Sequence, residues 1–168
     1  MGFVKDRYRG RTAEQFVKDI LIQAGITVFP TVNKCHDISF HFKQELTAEV
    51  KFDIYSAKSG RVAFEVSNPK TGQPTGIYNT SADLLFYVFS DTFHNPVPSS
   101  VYVCAIPIIQ KFLLSHKPVR TIRGAGDGNS TIWLYEKDAI LDVFDNITIM
   151  NKVDIWKTLD LILQLVSQ

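Results

Sequence analysis

Hydrophobic and polar positions recur along the chain with two periods, and each change of period marks an element. Thr12-Ala-Glu-Gln15 has the form of a capping box, after which Ala13, Phe16, Val17, Ile20, Leu21 and Ala24 follow helical spacing until Gly25. Period two takes over at Asp37–Phe42, where Ile38, Phe40 and Phe42 alternate with Ser39 and His41. Thr47–Tyr55 alternates more strictly, with Ala48, Val50, Phe52 and Ile54 on one face and Glu49, Lys51 and Asp53 on the other. Ser56–Gly60 reads as a turn, and Arg61–Ser67 resumes the alternation with Val62, Phe64 and Val66 inward. A loop rich in proline and glycine fills Asn68–Gly76, and Thr80–Asp83 leads directly into a strand at Leu84–Phe89. The all-apolar run Val101–Ile106 reads as a buried central strand, with Pro107 opening a helix over Ile108–His116. A strand near Ile132–Tyr135 and an amphipathic helix at Asp154–Val166 complete the chain. The fold class this predicts is α/β, a central mixed β-sheet flanked by helices.

Composition narrows the class. The 168 residues, 45% of them hydrophobic, suffice for one well-buried domain, taken here as 1–168, and exclude a disordered or fibrous chain. No apolar run approaches the roughly 20 residues of a membrane span. Met1–Arg11 is polar and basic, which predicts a cytoplasmic protein. Cys35 and Cys104 lack metal-ligand spacing and read as reduced, buried thiols. The net charge of +1 leaves the placement of charge to decide. One basic cluster, Lys5, Arg7, Arg9 and Arg11, precedes the first helix. Another, Lys111, His116, Lys117, Arg120 and Arg123, runs into a flexible glycine-rich loop at Gly124–Ser130. Clusters of this kind grip phosphates.

A hairpin closing at 56–60 would set Glu65 opposite Asp53 and Ser67 opposite Lys51. Glu49, Lys51, Asp53 and Glu65 would then share a sheet face, with Asp37 entering from the neighbouring strand. Four carboxylates around one lysine repel one another unless a cation sits among them. Oxygen ligands at this spacing suit Mg²⁺, or Mn²⁺ as substitute, and the lysine beside them is placed to hold or deprotonate a water.

Glu14 on the first helix, Asp37 in His36-Asp37-Ile38, and Glu49-Val-Lys51 together resemble the PD-(D/E)XK nuclease superfamily, which has the restriction-endonuclease-like fold. The resemblance covers roughly residues 10–90. The stretches Glu49–Asp53, Gly60–Glu65, Thr75–Ile77 and Ser81–Leu84 are most similar to phage-type members, a group alongside Holliday junction resolvases and homing endonucleases. The family often has proline where His36 stands. The resemblance implies that Asp37 and Glu49 ligate the metal, that Lys51 positions the attacking water, and that Glu14 is an outer ligand or a base behind the ligands. Glu65-Val-Ser67 offers a competing half-motif, with Asp53 twelve residues before it. Its lysine position is a serine, so the Glu49/Lys51 register is favoured and Asp53 and Glu65 become supporting acids.

The implied activity is a Mg²⁺-dependent DNA endonuclease that hydrolyses phosphodiesters through a metal-bound water. DNA is the expected partner, held by Arg7, Arg9, Arg11, Lys117, Arg120 and Arg123, and a homodimer would match the two strands of a duplex. The alternative is a non-catalytic DNA-binding or assembly subunit that keeps the same fold.

Overall fold

The computed structural model describes residues 2–31, 36–125, 128–143 and 152–166. Within them the chain runs α1 (Gly2–Gln23), β1 (Thr27–Phe29), β2 (Ile38–Phe42), β3 (Gln44–Asp53), α2 (Ser56–Ser59) and β4 (Arg61–Ser67). A 3₁₀ turn at Gly76–Tyr78 leads to β5 (Leu84–Phe89), β6 (Ser100–Ala105) and α3 (Ile106–Ser115). Then come β7 (Arg120–Ala125), β8 (Ser130–Glu136), α4 (Lys137–Leu141) and α5 (Lys152–Val166).

Strand β5 explains the layering. All six of its residues are buried, so it needs cover on both faces. It lies inside a mixed five-stranded sheet of order β1-β2-β3-β5-β6, in which β3 and β5 run parallel and the other neighbours antiparallel. Leu84, Phe86 and Val88 face a core with Ala13, Val17 and Leu21 of α1 and with Ile155, Leu159 and Ile162 of α5. Leu85, Tyr87 and Phe89 face the other way, against Val62, Phe64 and Val66 of β4 and Ile109 and Leu113 of α3. The second layer contains its own antiparallel sheet, β4-β8-β7. The molecule is α/β, with a central mixed sheet flanked by helices. No helix among the described residues is long and apolar enough to cross a membrane.

Several local readings change. Helix α1 starts ten residues before Thr12, so the capping-box pattern lies inside it. Thr12 Oγ1 bonds back to the Tyr8 carbonyl at 3.0 Å, as a threonine within a helix does. Lys5, Arg7, Arg9 and Arg11 ahead of it are good helix formers, and the helix runs through Gly10. The 56–60 turn is a single helical turn closed by Gly60 in the left-handed region, φ 66°. Strand β7 and helix α4 arise in stretches read as irregular.

The largest correction concerns the hairpin. Strands β3 and β4 do not pair: β3 takes β5 as its parallel neighbour, while β4 pairs with β8 in the other sheet. The reason is burial. A strand apolar on both faces fits only a central position, and β4, apolar on one face, covers it from the second layer. Cys104 is a buried thiol, whereas Cys35 lies outside the described residues.

Candidate active site

The β2–β3 ladder begins at a one-residue turn, where Lys43 adopts φ 58° and lets Phe42 pair with Gln44. It ends at Ile38 opposite Ala48. Asp37 stands just past that end and is fixed through both backbone and side chain. Its N–H donates to the Ala48 carbonyl at 2.9 Å, and its Oδ2 accepts from the Val50 N–H at 2.7 Å. A third bond, from Thr31 Oγ1 to its carbonyl at 2.9 Å, holds the segment. The carboxylate is thereby pinned beside β3 where Glu49 and Lys51 emerge.

Strand alternation sends Leu46, Ala48 and Val50 into the helix-covered core, and Glu49 and Lys51 to the opposite face. Glu49 Oε1 lies 3.7 Å from Lys51 Nζ, an ion pair too long for a hydrogen bond. Glu49 is 23% exposed and Lys51 43%. Burial pushes the Glu49 carboxyl above its usual range, and the negative charges of Asp37 and Glu14 add to the rise against the pull of Lys51. Glu14 reaches the same neighbourhood from α1. Its carboxyl is also raised, first by burial and then by Asp37, with Lys18 and Arg11 pulling it down. Arg11, three residues before Glu14, and Lys18, four after it, are the partners here that helical spacing alone suggests. The structure therefore brings Glu14, Asp37, Glu49 and Lys51 into one electrostatic neighbourhood.

Asp53 and Glu65 do not join it. Asp53 is buried and occupied: its Oδ1 accepts the N–H groups of Tyr55 and Ser56, each at 2.8 Å, and its Oδ2 accepts the Tyr87 hydroxyl at 3.0 Å. The same hydroxyl lies 3.1 Å from the Ala63 carbonyl. Asp53 and Tyr87 thus tie α2, the central sheet and β4 together. Burial and the Asp53 charge hold the Tyr87 hydroxyl well above the usual tyrosine range, so it stays protonated as a donor. Glu65 alternates with the buried Phe64 and Val66 on the face of β4 turned away from the central sheet. It sits at a register shift where Gly76 packs against its backbone; a Cβ there would meet the Glu65 carbonyl oxygen at 2.5 Å.

The basic residues divide. Arg9 and Arg11 precede Glu14 on α1, Arg11 within electrostatic reach of it; Arg7 is on the same helix, and its side chain is outside those described. Lys117 is exposed before β7. Arg120 and Arg123 are exposed on β7, the edge of the second sheet, and their spacing puts them on opposite faces of that strand.

The acid cluster offers hard oxygen donors that repel one another, the condition a divalent cation relieves. Among the described residues, no three histidine, cysteine, aspartate or glutamate side chains are gathered closely enough to cage a metal. The donors fit an ion that takes one or two carboxylates and keeps much of its water, as Mg²⁺ does. Comparison with protein-family models, with curated proteins and with solved structures finds no match.

Proposed function

We propose that this chain is a Mg²⁺-dependent DNA endonuclease of the PD-(D/E)XK type, with Asp37 and Glu49 as metal ligands. The observation that carries the reading is Asp37 pinned by its carboxylate to the Val50 N–H beside Glu49, which is ion-paired with Lys51, with Glu14 within electrostatic reach of Asp37 and Glu49. When bound, the cation supplies Lewis acidity at the scissile phosphate and offsets its negative charge. Lys51, on a strand whose other face is packed, donates to the attacking water and holds it in line. Glu14, with its carboxyl above the ordinary range, accepts the proton the water releases. Asp37 keeps the geometry fixed, because its backbone and carboxylate are both tied to β3. Arg9 and Arg11 approach the phosphates next to this cluster, while Lys117 and the edge strand β7 that carries Arg120 and Arg123 supply further phosphate contacts away from it. Each chain carries one such cluster, so cutting both strands of a duplex calls for a homodimer.

Calorimetric titration with Mg²⁺ tests the reading. Wild type should bind the ion, and Asp37→Asn and Glu49→Gln should each weaken binding at least tenfold. Unchanged affinity in both variants would remove the ligand assignment. A non-catalytic DNA-binding subunit is the second reading. The observation that favours it is the Glu49 ion pair, which engages the lysine the chemistry needs, and it predicts DNA binding with no strand scission.

A further inference from the structure

On β1, β2 and β3, Val28, Phe40 and Leu46 turn to the helix-covered core. Alternation therefore puts Phe29, Ser39 and Thr47 on the opposite face, the one from which Glu49 and Lys51 emerge. The register sets them in a row, Phe29 opposite Ser39 and Ser39 opposite Thr47. Along β3 the next residues of that face are Glu45 on one side of Thr47 and Glu49 on the other, each roughly 7 Å along the strand. A hollow of about 340 Å³ lies on this row, lined by Phe29, Pro30, His36, Ser39, Glu45 and Thr47. His36 precedes Asp37 in the chain and bonds to Ser39, its Nε2 lying 2.8 Å from Oγ. The hollow and the Asp37–Glu49 pair are thus neighbours on one face of the β2–β3 ladder.

The lining says what fits. Phe29 is 36% exposed and, with Pro30, offers an apolar wall on which a flat ring can stack. Glu45 is exposed, and among the described residues its carboxylate has no ion-pair partner. A carboxylate only accepts, so it repels a phosphate and takes donors, two at once when they lie side by side. Thr47 Oγ1 is already engaged by Asp83 Oδ2 at 2.8 Å. The His36–Ser39 pair keeps one donor in either tautomer. When the hydroxyl donates to Nε2, Nδ1–H remains; when Nε2–H donates to Oγ, the hydroxyl proton remains. The ligand therefore needs two adjacent donors for Glu45, an acceptor beside them for the pair, and a flat body. Among the DNA bases guanine alone has these on one edge, with N1–H and the 2-amino group side by side and O6 next to them. Adenine and cytosine set one amino group beside an acceptor, and thymine has one N–H between two acceptors. An arginine guanidinium matches the carboxylate but has no acceptor for His36 and Ser39. The geometry points to this hollow as the seat of an unpaired guanine, stacked on Phe29 and held through its pairing edge by Glu45. The inference rests on the nuclease reading for the strand that carries the base, and it narrows the substrate to DNA with guanine in a single-stranded stretch.

The test uses the full chain in EDTA, so that binding is read without cleavage. Fluorescence anisotropy compares short labelled oligothymidylates whose central base is guanine, hypoxanthine or adenine. Hypoxanthine differs from guanine only by lacking the 2-amino group. Wild type should bind the guanine strand about tenfold or more tighter than either of the others. Glu45→Gln should erase that preference, even though it removes a charge that repels phosphates. Phe29→Ala should weaken the guanine strand about 5- to 100-fold and keep the preference, because stacking does not read the edge. Both side chains are exposed at or near the sheet surface, so neither variant opens the core. Equal affinity of wild type for guanine and hypoxanthine strands, or an undiminished preference in Glu45→Gln, overturns the inference. Displacement of the guanine strand by N-acetylarginine amide at concentrations where guanosine fails to displace it would also overturn it, and would assign the hollow to an arginine side chain. None of these outcomes touches the nuclease reading, which fails separately if Mg²⁺ promotes no cleavage of any DNA form.

Discussion

Replacing Asp53 separates a structural acid from a catalytic one. In Asp53→Ala three donors lose their acceptor. The Tyr87 hydroxyl turns to the Ala63 carbonyl at 3.1 Å, and the Tyr55 N–H, on an exposed residue, finds water. The Ser56 N–H belongs to a buried residue and is left without a partner, which costs about 1–3 kcal/mol. That lost bond is the main consequence, so the expected destabilisation is about 1–3 kcal/mol. Asp53→Asn behaves differently. Its Oδ1 still accepts both N–H groups and its amide donates to the Tyr87 oxygen, so the loss should be about 1 kcal/mol or less. Urea unfolding followed by circular dichroism, with linear extrapolation, resolves the two variants. The asparagine variant should also keep DNA cleavage near wild type. An alanine variant within about 0.5 kcal/mol of wild type, or an asparagine variant as damaged as alanine, would refute the bonding described.

Glu49 and Glu14 have folded-state pKa values above their unfolded ones, so their contribution to stability is fully present below about pH 4.5 and is lost as the pH rises through the folded values. Without metal, Glu49→Gln should therefore raise the melting temperature at pH 8 and give no gain at pH 4, as scanning calorimetry over that range will show. Mg²⁺ should stabilise wild type at pH 8 but not this variant. Replacing Arg120 and Arg123 together should weaken DNA binding and flatten its salt dependence, while the single-turnover rate at saturating DNA stays unchanged; an unaltered salt slope would return both residues to ordinary surface.

Periodicity revealed elements whose partners are local or whose faces differ. The apolar stripe of α1 packs as its spacing implies, and the alternation in β2 and β3 sends Asp37, Glu49 and Lys51 to a common edge. What alternation cannot express is which strands pair. Strand β4 reads as the second arm of a hairpin, yet β5 competes for the place beside β3 and takes it because both its faces are apolar. That one exchange carries Glu65 into another layer and isolates it from Glu49. Asp53 shares parity with Glu49 and Lys51, but its fate is set by Tyr87, thirty-four residues away, and by the helical turn at Ser56.

The most direct measurement is scission of supercoiled plasmid and of a branched oligonucleotide by wild type, Lys51→Ala and Ser67→Ala, each with Mg²⁺ and with EDTA. The account predicts Mg²⁺-dependent cleavage by wild type and Ser67→Ala. Lys51→Ala should fall by at least a hundredfold while binding DNA normally, because the lysine lies beside Glu49 and Ser67 lies in the other sheet. Activity in Lys51→Ala within tenfold of wild type, or loss of activity in Ser67→Ala alone, would contradict it.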